Sequence, residues 1–215
     1  MDREIIILVG SPKKNRSTSY ALSKYLSDEL NHLDVESSIL YVSEVQDVPE
    51  SFLQSCDCLV IACPLYCDNL PADIIEFMNK LYQHREKLSQ IELMLMINAG
   101  FPESSHNAVA IKTAENFAKK MKFNWLGALF LGEGGVIAGQ NLNNVKTTKK
   151  IRKAINILAN DLKSGCNISQ SAVKLAKEKM VPYPIYIWTG ERQWKKKARQ
   201  LGTIKLLKNS PYQQK

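Results

Sequence analysis

The chain has no apolar run that could span a bilayer. Its longest purely apolar stretches, such as Ile5 to Val9, fall far short of the ~20 residues a crossing needs. No secretory signal is expected, because Asp2, Arg3 and Glu4 lead straight into a strand-like run. Internal repeats and low-complexity segments are missing. No G-K-[ST] ends a glycine loop, and no G-x-G-x-x-G is present, which disfavours ATPase and dinucleotide-fold readings. RRM, KH, zinc and helix-turn-helix signatures are also missing, so nucleic acid is not the expected partner. Disorder throughout is excluded by composition. Hydrophobic residues make up 45% and charged residues 23%, ordinary for a globular soluble protein. At 215 residues the chain is ample to bury a core.

Five cysteines are an odd number and too crowded for a secreted disulfide framework. Four fall at Cys56, Cys58, Cys63 and Cys67. Such a framework would spread and pair them, so a reducing, cytoplasmic setting is expected. Cys58 lies inside a strand-like run, where a small buried hydrophobe is the ordinary role. No metal site is expected.

Acidic residues are scarce at the C-terminal end. Residues 1–145 hold 12 Lys/Arg against 18 Asp/Glu, whereas residues 146–215 hold 17 against 3. The formal net charge of +8 hides this split. A basic tail can meet nucleic acid, an anionic cofactor or the acidic body of a second subunit.

Hydrophobic patterning places five strands. Glu4–Val9 is a β-branched run ending at Gly10, and its continuity predicts a strand buried on both faces of a parallel sheet. Val35–Val42, Cys58–Ala62, Ile91–Ile97 and Asn124–Leu131 read as the other four. Between them, helical spacing begins near Ser17, continues from Pro71 to Gln83, and runs from Glu103 to Met121. Thr147–Lys163 is amphipathic and ends at Gly165, a further helix covers Ser169–Lys179, Pro182 and Pro184 break the chain, and Trp188–Leu201 reads as a basic helix. The last dozen residues are expected to form an extended arm. Strand–helix alternation over about 130 residues predicts an α/β, doubly wound, five-stranded parallel sheet in the order 2-1-3-4-5, with helices on both faces. The expected division is a domain over residues 1–165 and a basic C-terminal extension over 166–215.

In such a sheet, ligands bind beyond the carboxyl ends of the strands, near the point where strand order reverses. Three loops fall there. The first, Gly10 to Ser19, offers hydroxyls at Ser11, Ser17, Thr18 and Ser19 and cations at Lys13, Lys14 and Arg16. A helix begins among the hydroxyls, and its free N–H groups and positive dipole end make an anion site there. On the same residues, Ser17 could merely cap the helix while the lysines are solvated. The second, Pro64 to Pro71, offers Tyr66 to the face of a flat ring, with Asn69 and backbone amides for polar ring edges; it could also be a plain connector capped by Asp68 or Asn69. The third, Asn98 to Glu103, has Gly100 for close backbone approach and Phe101 for apolar contact, or is a simple turn before a helix.

Taken in order, Gly10-Ser11-Pro12-Lys13, Pro64-Leu65-Tyr66 with Pro71-Ala72, and Asn98-Ala99-Gly100-Phe101 resemble the corresponding loops of the NADPH-dependent FMN reductase family of flavodoxin-like proteins. The likeness covers roughly residues 4–135. The aromatic stretch Tyr183 to Trp188, with Trp194 and Pro211-Tyr212, resembles C-terminal extensions of some members. Arg16 and Ser17 depart from the small residues and Asn common in the family. The spacing of Cys56, Cys58, Cys63 and Cys67 does not match the four-cysteine iron–sulfur motif that some members carry.

The resemblance implies FMN as cofactor and NADPH or NADH as electron donor. It implies a small-molecule acceptor (a flavin, quinone, nitro or similar compound), a homodimer, and no membrane partner. Cofactor contacts would then come from Ser11, Lys13, Arg16, Ser17, Thr18 and Ser19 at the phosphate, and from Pro64, Leu65, Tyr66, Cys67, Asn69, Asn98, Gly100 and Phe101 at the ring. The flavin would carry the chemistry, so no side-chain acid or base is required. A flavodoxin-like electron carrier and a binding protein without cofactor are the alternatives. His106 reads as a substrate or flavin contact or as a solvent-facing first-turn residue, and Glu133-Gly134-Gly135 as a cofactor edge or a plain turn.

Overall fold

The computed structural model describes residues 3–45, 55–88 and 91–209. The closing Pro211-Tyr212 pair lies outside them. The chain forms two compact units, residues 1–180 and residues 181–215.

The first unit is built on five strands: β1 (Glu4–Val9), β2 (Glu36–Tyr41), β3 (Cys58–Pro64), β4 (Glu92–Asn98) and β5 (Asn124–Leu131). They are parallel and ordered β2-β1-β3-β4-β5, the flavodoxin-like arrangement. Successive side chains point to opposite faces of a strand. Ile5 and Ile7 therefore join Cys58, Val60, Ala62, Met94 and Met96 on one face, whereas Ile6 and Leu8 join Leu59, Ile61, Cys63, Leu95 and Ile97 on the other. Burying one such side chain stabilises the fold by roughly 1.5–3 kcal/mol. Two faces need two covers. The first is covered by α1 (Thr18–His32), α4 (Lys149–Lys163) and α5 (Gln170–Lys177), the second by α2 (Ala72–Gln83) and α3 (Ala108–Met121).

Local chemistry sets the boundaries. Ser17 caps α1, its Oγ accepting from Tyr20 N–H at 3.0 Å. Pro71 occupies the N-cap of α2, with Asp73 in the first turn near the positive dipole end. The expected helix from Glu103 starts instead as a 3-10 turn, Ser104–Asn107, and becomes α-helical at Ala108. In β5 the register slips by one residue between Leu93 and Met94, with Trp125 opposite the first and Gly127 opposite the second. Leu126 is the extra residue of this bulge, and Gly127 takes a φ of +116° that a side chain would strain.

The second unit contains α6 (Tyr183–Gln200) and a short 3-10 turn, Ile204–Leu206. Here the helix begins five residues before the expected Trp188. Pro182 and Pro184 do not break it: Pro182 is the N-cap, and Pro184 sits in the first turn, where a missing N–H costs no intrahelical bond. Among the described residues, no helix is long and apolar enough to cross a membrane.

Gly10 shows how tightly the layers meet. A Cβ there would fall 2.4 Å from Ile74 Cγ1 and 3.1 Å from Cys63 Cβ, both fully buried. Gly10→Ala should therefore cost about 1–3 kcal/mol through overpacking. That lowers the thermal midpoint by roughly 3–10 °C for a chain of this size. Gly135→Ala, whose added carbon meets nothing within 4 Å, should leave the midpoint nearly unchanged. Calorimetry on the two variants checks both.

Candidate functional site

Chain leaving β1 enters α1 on one face of the sheet, and chain leaving β3 enters α2 on the other. The two strands are neighbours, so their connections diverge and a crevice opens between them. A cleft of about 370 Å3 lies there. Its walls are Ser11, Lys13, Arg16, Ser17, Thr18 and Ser19 from the first loop, Pro64, Leu65 and Tyr66 from the second, and Asn98 and Gly100 from the third. The structure thus brings together eleven of the fourteen residues expected to hold a cofactor.

Cys67, Asn69 and Phe101 do not line it. The reason for the first two is a tight hairpin. Tyr66 and Asn69 exchange backbone hydrogen bonds of 3.0 and 2.9 Å around Cys67-Asp68. Both central residues have positive φ, 46° and 56°, as a type I′ turn requires. Cys67 is therefore exposed at the hairpin tip, and the Asn69 side chain is spent locally, its Oδ1 accepting from Leu70 N–H at 2.9 Å. What the hairpin presents to the cleft is Tyr66, 43% exposed. Phe101 is 66% exposed and stacks at a tilt on His106, with centroids 5.5 Å apart. His106 in turn lies 3.9 Å from the Asp68 carboxylate, bridging loops two and three outside the cleft wall.

A fourth wall is formed by Gly134, Gly135 and Ala138, following β5, where the sequence left Glu133-Gly134-Gly135 open between a cofactor edge and a plain turn. The four glycines of residues 132–139 were its signal in sequence. Their closeness to the other loops explains them. A Cβ on Gly132 would meet Pro102 O at 2.4 Å, one on Gly134 would meet Asn98 Oδ1 at 2.7 Å, and one on Gly139 would meet Arg16 O at 2.3 Å. Thr18 Oγ1 donates to Gly134 O at 2.8 Å, and Gly134 N–H donates to Ala99 O at 2.9 Å. Backbone lies on backbone, and side chains would force the loops apart.

Asn98 holds the centre. It is 6% exposed, and its Nδ2 donates to Ser19 Oγ at 2.9 Å and to Cys63 O at 3.1 Å. Its own carbonyl accepts from Leu65 N–H at 2.9 Å. One residue thus ties the ends of β3 and β4 to the first turn of α1.

The hydroxyls of the first loop are mostly occupied. Ser17 Oγ donates to Lys14 O at 2.6 Å while capping α1, Thr18 is bonded to Gly134, and Ser19 accepts from Asn98. Both readings of Ser17 therefore meet in one residue: it caps the helix and lines the cleft. Lys14 turns away to Glu44, 2.8 Å distant. Lys13 and Arg16 remain at the wall as exposed cations. Helix geometry leaves the N–H groups of Thr18 and Ser19 without intrahelical acceptors. No carboxylate is among the lining residues. This end of the cleft suits an anion. A roomier groove, about 450 Å3, lies between α2 and α3, but its walls are helix side chains such as Ile75, Met78 and Phe117, with no glycine and no helix N-terminus.

The crowded cysteines do not converge. Cys58 and Cys63 belong to opposite faces of the sheet. Burial pushes the Cys58 thiol up to about 12 and also raises those of Cys56 and Cys63, which disfavours the thiolate that metals and electrophiles need. Among the described residues, no group of three or more His, Cys, Asp or Glu is placed to hold a metal ion.

No family model matches the chain, and no curated protein matches it in sequence. Solved structures do match in fold. An NADH:FMN oxidoreductase (EMOB), in its apo form, is 16% identical with a TM-score of 0.59, over 85% of this chain and 98% of that one. An NAD(P)H:quinone oxidoreductase from Methanothermobacter marburgensis is 10% identical, with a TM-score of 0.56 over 75% and 96% of the two chains. A flavodoxin from Streptococcus pneumonia TIGR4 is 14% identical, with a TM-score of 0.53 over 75% and 99%. The chain has the flavodoxin-like fold that these proteins share.

Burial sorts the five thiols. Cys67 and Cys166 are exposed, and the other three are buried. A disulfide reagent at neutral pH should titrate two thiols in the folded protein and five after denaturation. Fast reaction of a third before unfolding would contradict the burial described.

Proposed function

We propose that the chain is an FMN-dependent oxidoreductase that passes reducing equivalents from NADPH or NADH to a small acceptor such as a flavin, quinone or nitro compound. The observation that carries this reading is the cleft itself. Its cationic, hydroxyl-rich end meets the first turn of α1, and its other end is bounded by Tyr66 and Gly100.

The residues present fit a flavin mononucleotide. Lys13 and Arg16 supply charge to a terminal phosphate, and the Thr18 and Ser19 N–H groups supply donors at the positive end of the α1 dipole. About 370 Å3 lies within the usual size of small-molecule sites, roughly 300–1,000 Å3. Gly100 adds an independent argument. It lacks a positive φ, and a Cβ there would meet nothing within 4 Å. A bare backbone at that wall lets a flat ring lie close to it.

When bound, FMN supplies two-electron transfer between a nicotinamide and an acceptor. The chain's residues supply position and field. Asn98 fixes the distance between loops by holding Ser19 Oγ and Cys63 O. Pro64 and the Tyr66–Asn69 hairpin hold the second loop in one conformation, and Tyr66 offers an aromatic surface at the rim. With no carboxylate among the lining residues, Lys13 and Arg16 set a positive local potential that favours an anionic ligand.

Three measurements test this reading. Lys13→Ala combined with Arg16→Ala should weaken FMN binding by about 10- to 100-fold, the worth of one or two charge-assisted hydrogen bonds. Riboflavin, which lacks the phosphate, should lose less than about threefold on the same scale. Equal losses would mean that the first loop does not hold the phosphate. Gly100→Val should leave the thermal midpoint unchanged yet reduce FMN affinity by at least about tenfold. Unaltered affinity would move the ring elsewhere. Stopped-flow mixing of the FMN-loaded protein with NADPH should bleach the flavin within seconds. Stable yellow colour would favour an electron carrier over a reductase.

A further inference from the structure

The second unit, residues 181–215, leaves much of its apolar surface uncovered. Eight of the twelve exposed large hydrophobic side chains among the described residues belong to it. Among its described residues the one buried hydrophobic is Ala198. Surfaces in water rarely gather so much apolar area in so short a segment without a partner.

Helix geometry gives that surface a direction. At about 100° per residue, Tyr183, Ile187, Trp194 and Leu201 fall within about 40° of one another along α6 and its C-cap. Trp194 is 71% exposed and Leu201 66%. Lys197 and Lys195 stand on the two shoulders of this stripe, about 60° and 100° from its centre, and Arg192, Lys196 and Arg199 lie on the far side. Glu191, the unit's one acidic residue, is met by Lys195 at 3.3 Å. Past the helix the chain turns at Gly202, φ +68°, with Thr203 N–H donating to Ala198 O at 2.8 Å. Leu206 and Leu207 are then exposed between Lys205 and Lys208.

Residue types narrow the occupant. α6 holds four Trp/Tyr in 18 residues: Tyr183, Tyr186, Trp188 and Trp194. Rings with an apolar body and a polar edge favour the headgroup level of a bilayer. Lysine stems lie along apolar surface while their ammonium groups reach outward to charge. The unit carries eight Lys/Arg against one Asp/Glu, so the complementary surface is anionic. Single-stranded nucleic acid is anionic too and would stack on the tryptophans, but it gives Ile187, Leu201, Leu206 and Leu207 no role. An anionic lipid surface takes up both kinds of side chain.

We infer that α6 and the turn after it dock the chain on an anionic phospholipid surface, with the Tyr183, Ile187, Trp194 and Leu201 stripe toward the acyl chains and Lys195 and Lys197 at the headgroups. This needs no spanning helix, because a helix of this kind lies in the interface and sinks only roughly 5–10 Å. Trp188, about 120° from the stripe, then sits at headgroup level, with Arg192 Cζ 5.4 Å from its ring centroid. Ile185 faces away. The inference departs from the expectation of no membrane partner, which the family resemblance implies from loops within residues 4–135, before this unit begins.

Co-sedimentation of the full chain with vesicles tests the inference without any flavin, so its outcome is separate from that of the oxidoreductase reading. At low salt the chain should bind phosphatidylcholine vesicles containing about one-third phosphatidylserine at least about tenfold more tightly than phosphatidylcholine alone. High salt should remove most of that difference. Lys195→Gln, Lys196→Gln and Lys197→Gln together should weaken binding to the anionic vesicles at least about tenfold, as should Trp194→Ser with Leu201→Ser. Lys149→Gln, Lys150→Gln and Lys153→Gln, which remove the same charge from α4, should change it less than about threefold. Circular dichroism should show all three variants folded. The inference is overturned if the chain stays in the supernatant at low salt, whether alone, bound to a second copy or bound to a single-stranded oligonucleotide. Equal binding to both vesicle types, or equal losses from the α4 and α6 lysine variants, would overturn it as well.

Discussion

The strand order is the constraint on which the site depends. β1 and β3 lie side by side, yet the chain departs from them to opposite faces. Divergence there is forced by the need to cover both sides of a sheet whose central strands β1, β3 and β4 are buried on both faces. The gap between the two departures needs no special residue to exist. Its character comes from what lines it: the first turn of α1, two cations, and glycines that let four loops approach at backbone distance. Asn98 then sets the spacing, because its side-chain amide donates to Ser19 and Cys63 and its carbonyl accepts from Leu65.

Much of this architecture was legible in the sequence because its causes are local. A β-branched run such as Glu4–Val9, stopped at Gly10, fits a strand buried on both faces, and the helices between the strands carry apolar stripes. The order 2-1-3-4-5 is one of the common doubly wound orders that alternation of strand and helix allows. Pro182 and Pro184 were less transparent. A proline is a breaker in a helix interior and a good starter in a first turn, and composition alone does not say which turn it occupies. The bulge at Leu126–Gly127 is equally silent, since it becomes necessary only when β5 must pair with β4 while its apolar residues keep both faces.

At the cleft the division follows the same logic. Residues near a strand end or a helix start, such as Ser11, Ser17 and Asn98, line the cleft as topology leads one to expect. Cys67 and Asn69 do not line it, because whether a loop residue faces a cleft depends on turn type. A two-residue turn with positive φ at both positions puts Cys67 at its tip and spends Asn69 on the hairpin's own backbone. The Gly134–Ala138 wall was legible only in part, for a different reason. Its role is to pass close to Arg16, Asn98 and Pro102, and such long-range approaches leave no periodic trace in sequence.

Charge is segregated along the chain, acidic before residue 146 and basic after it. The proposed function rests on the cleft. A crystal structure of the protein grown with FMN is the most direct test. It should show the phosphate at the first turn of α1 within hydrogen-bonding reach of Thr18 and Ser19 N–H, with the ring between Tyr66 and Gly100. A cleft filled by the protein's own side chains, or flavin bound away from these loops, would contradict it.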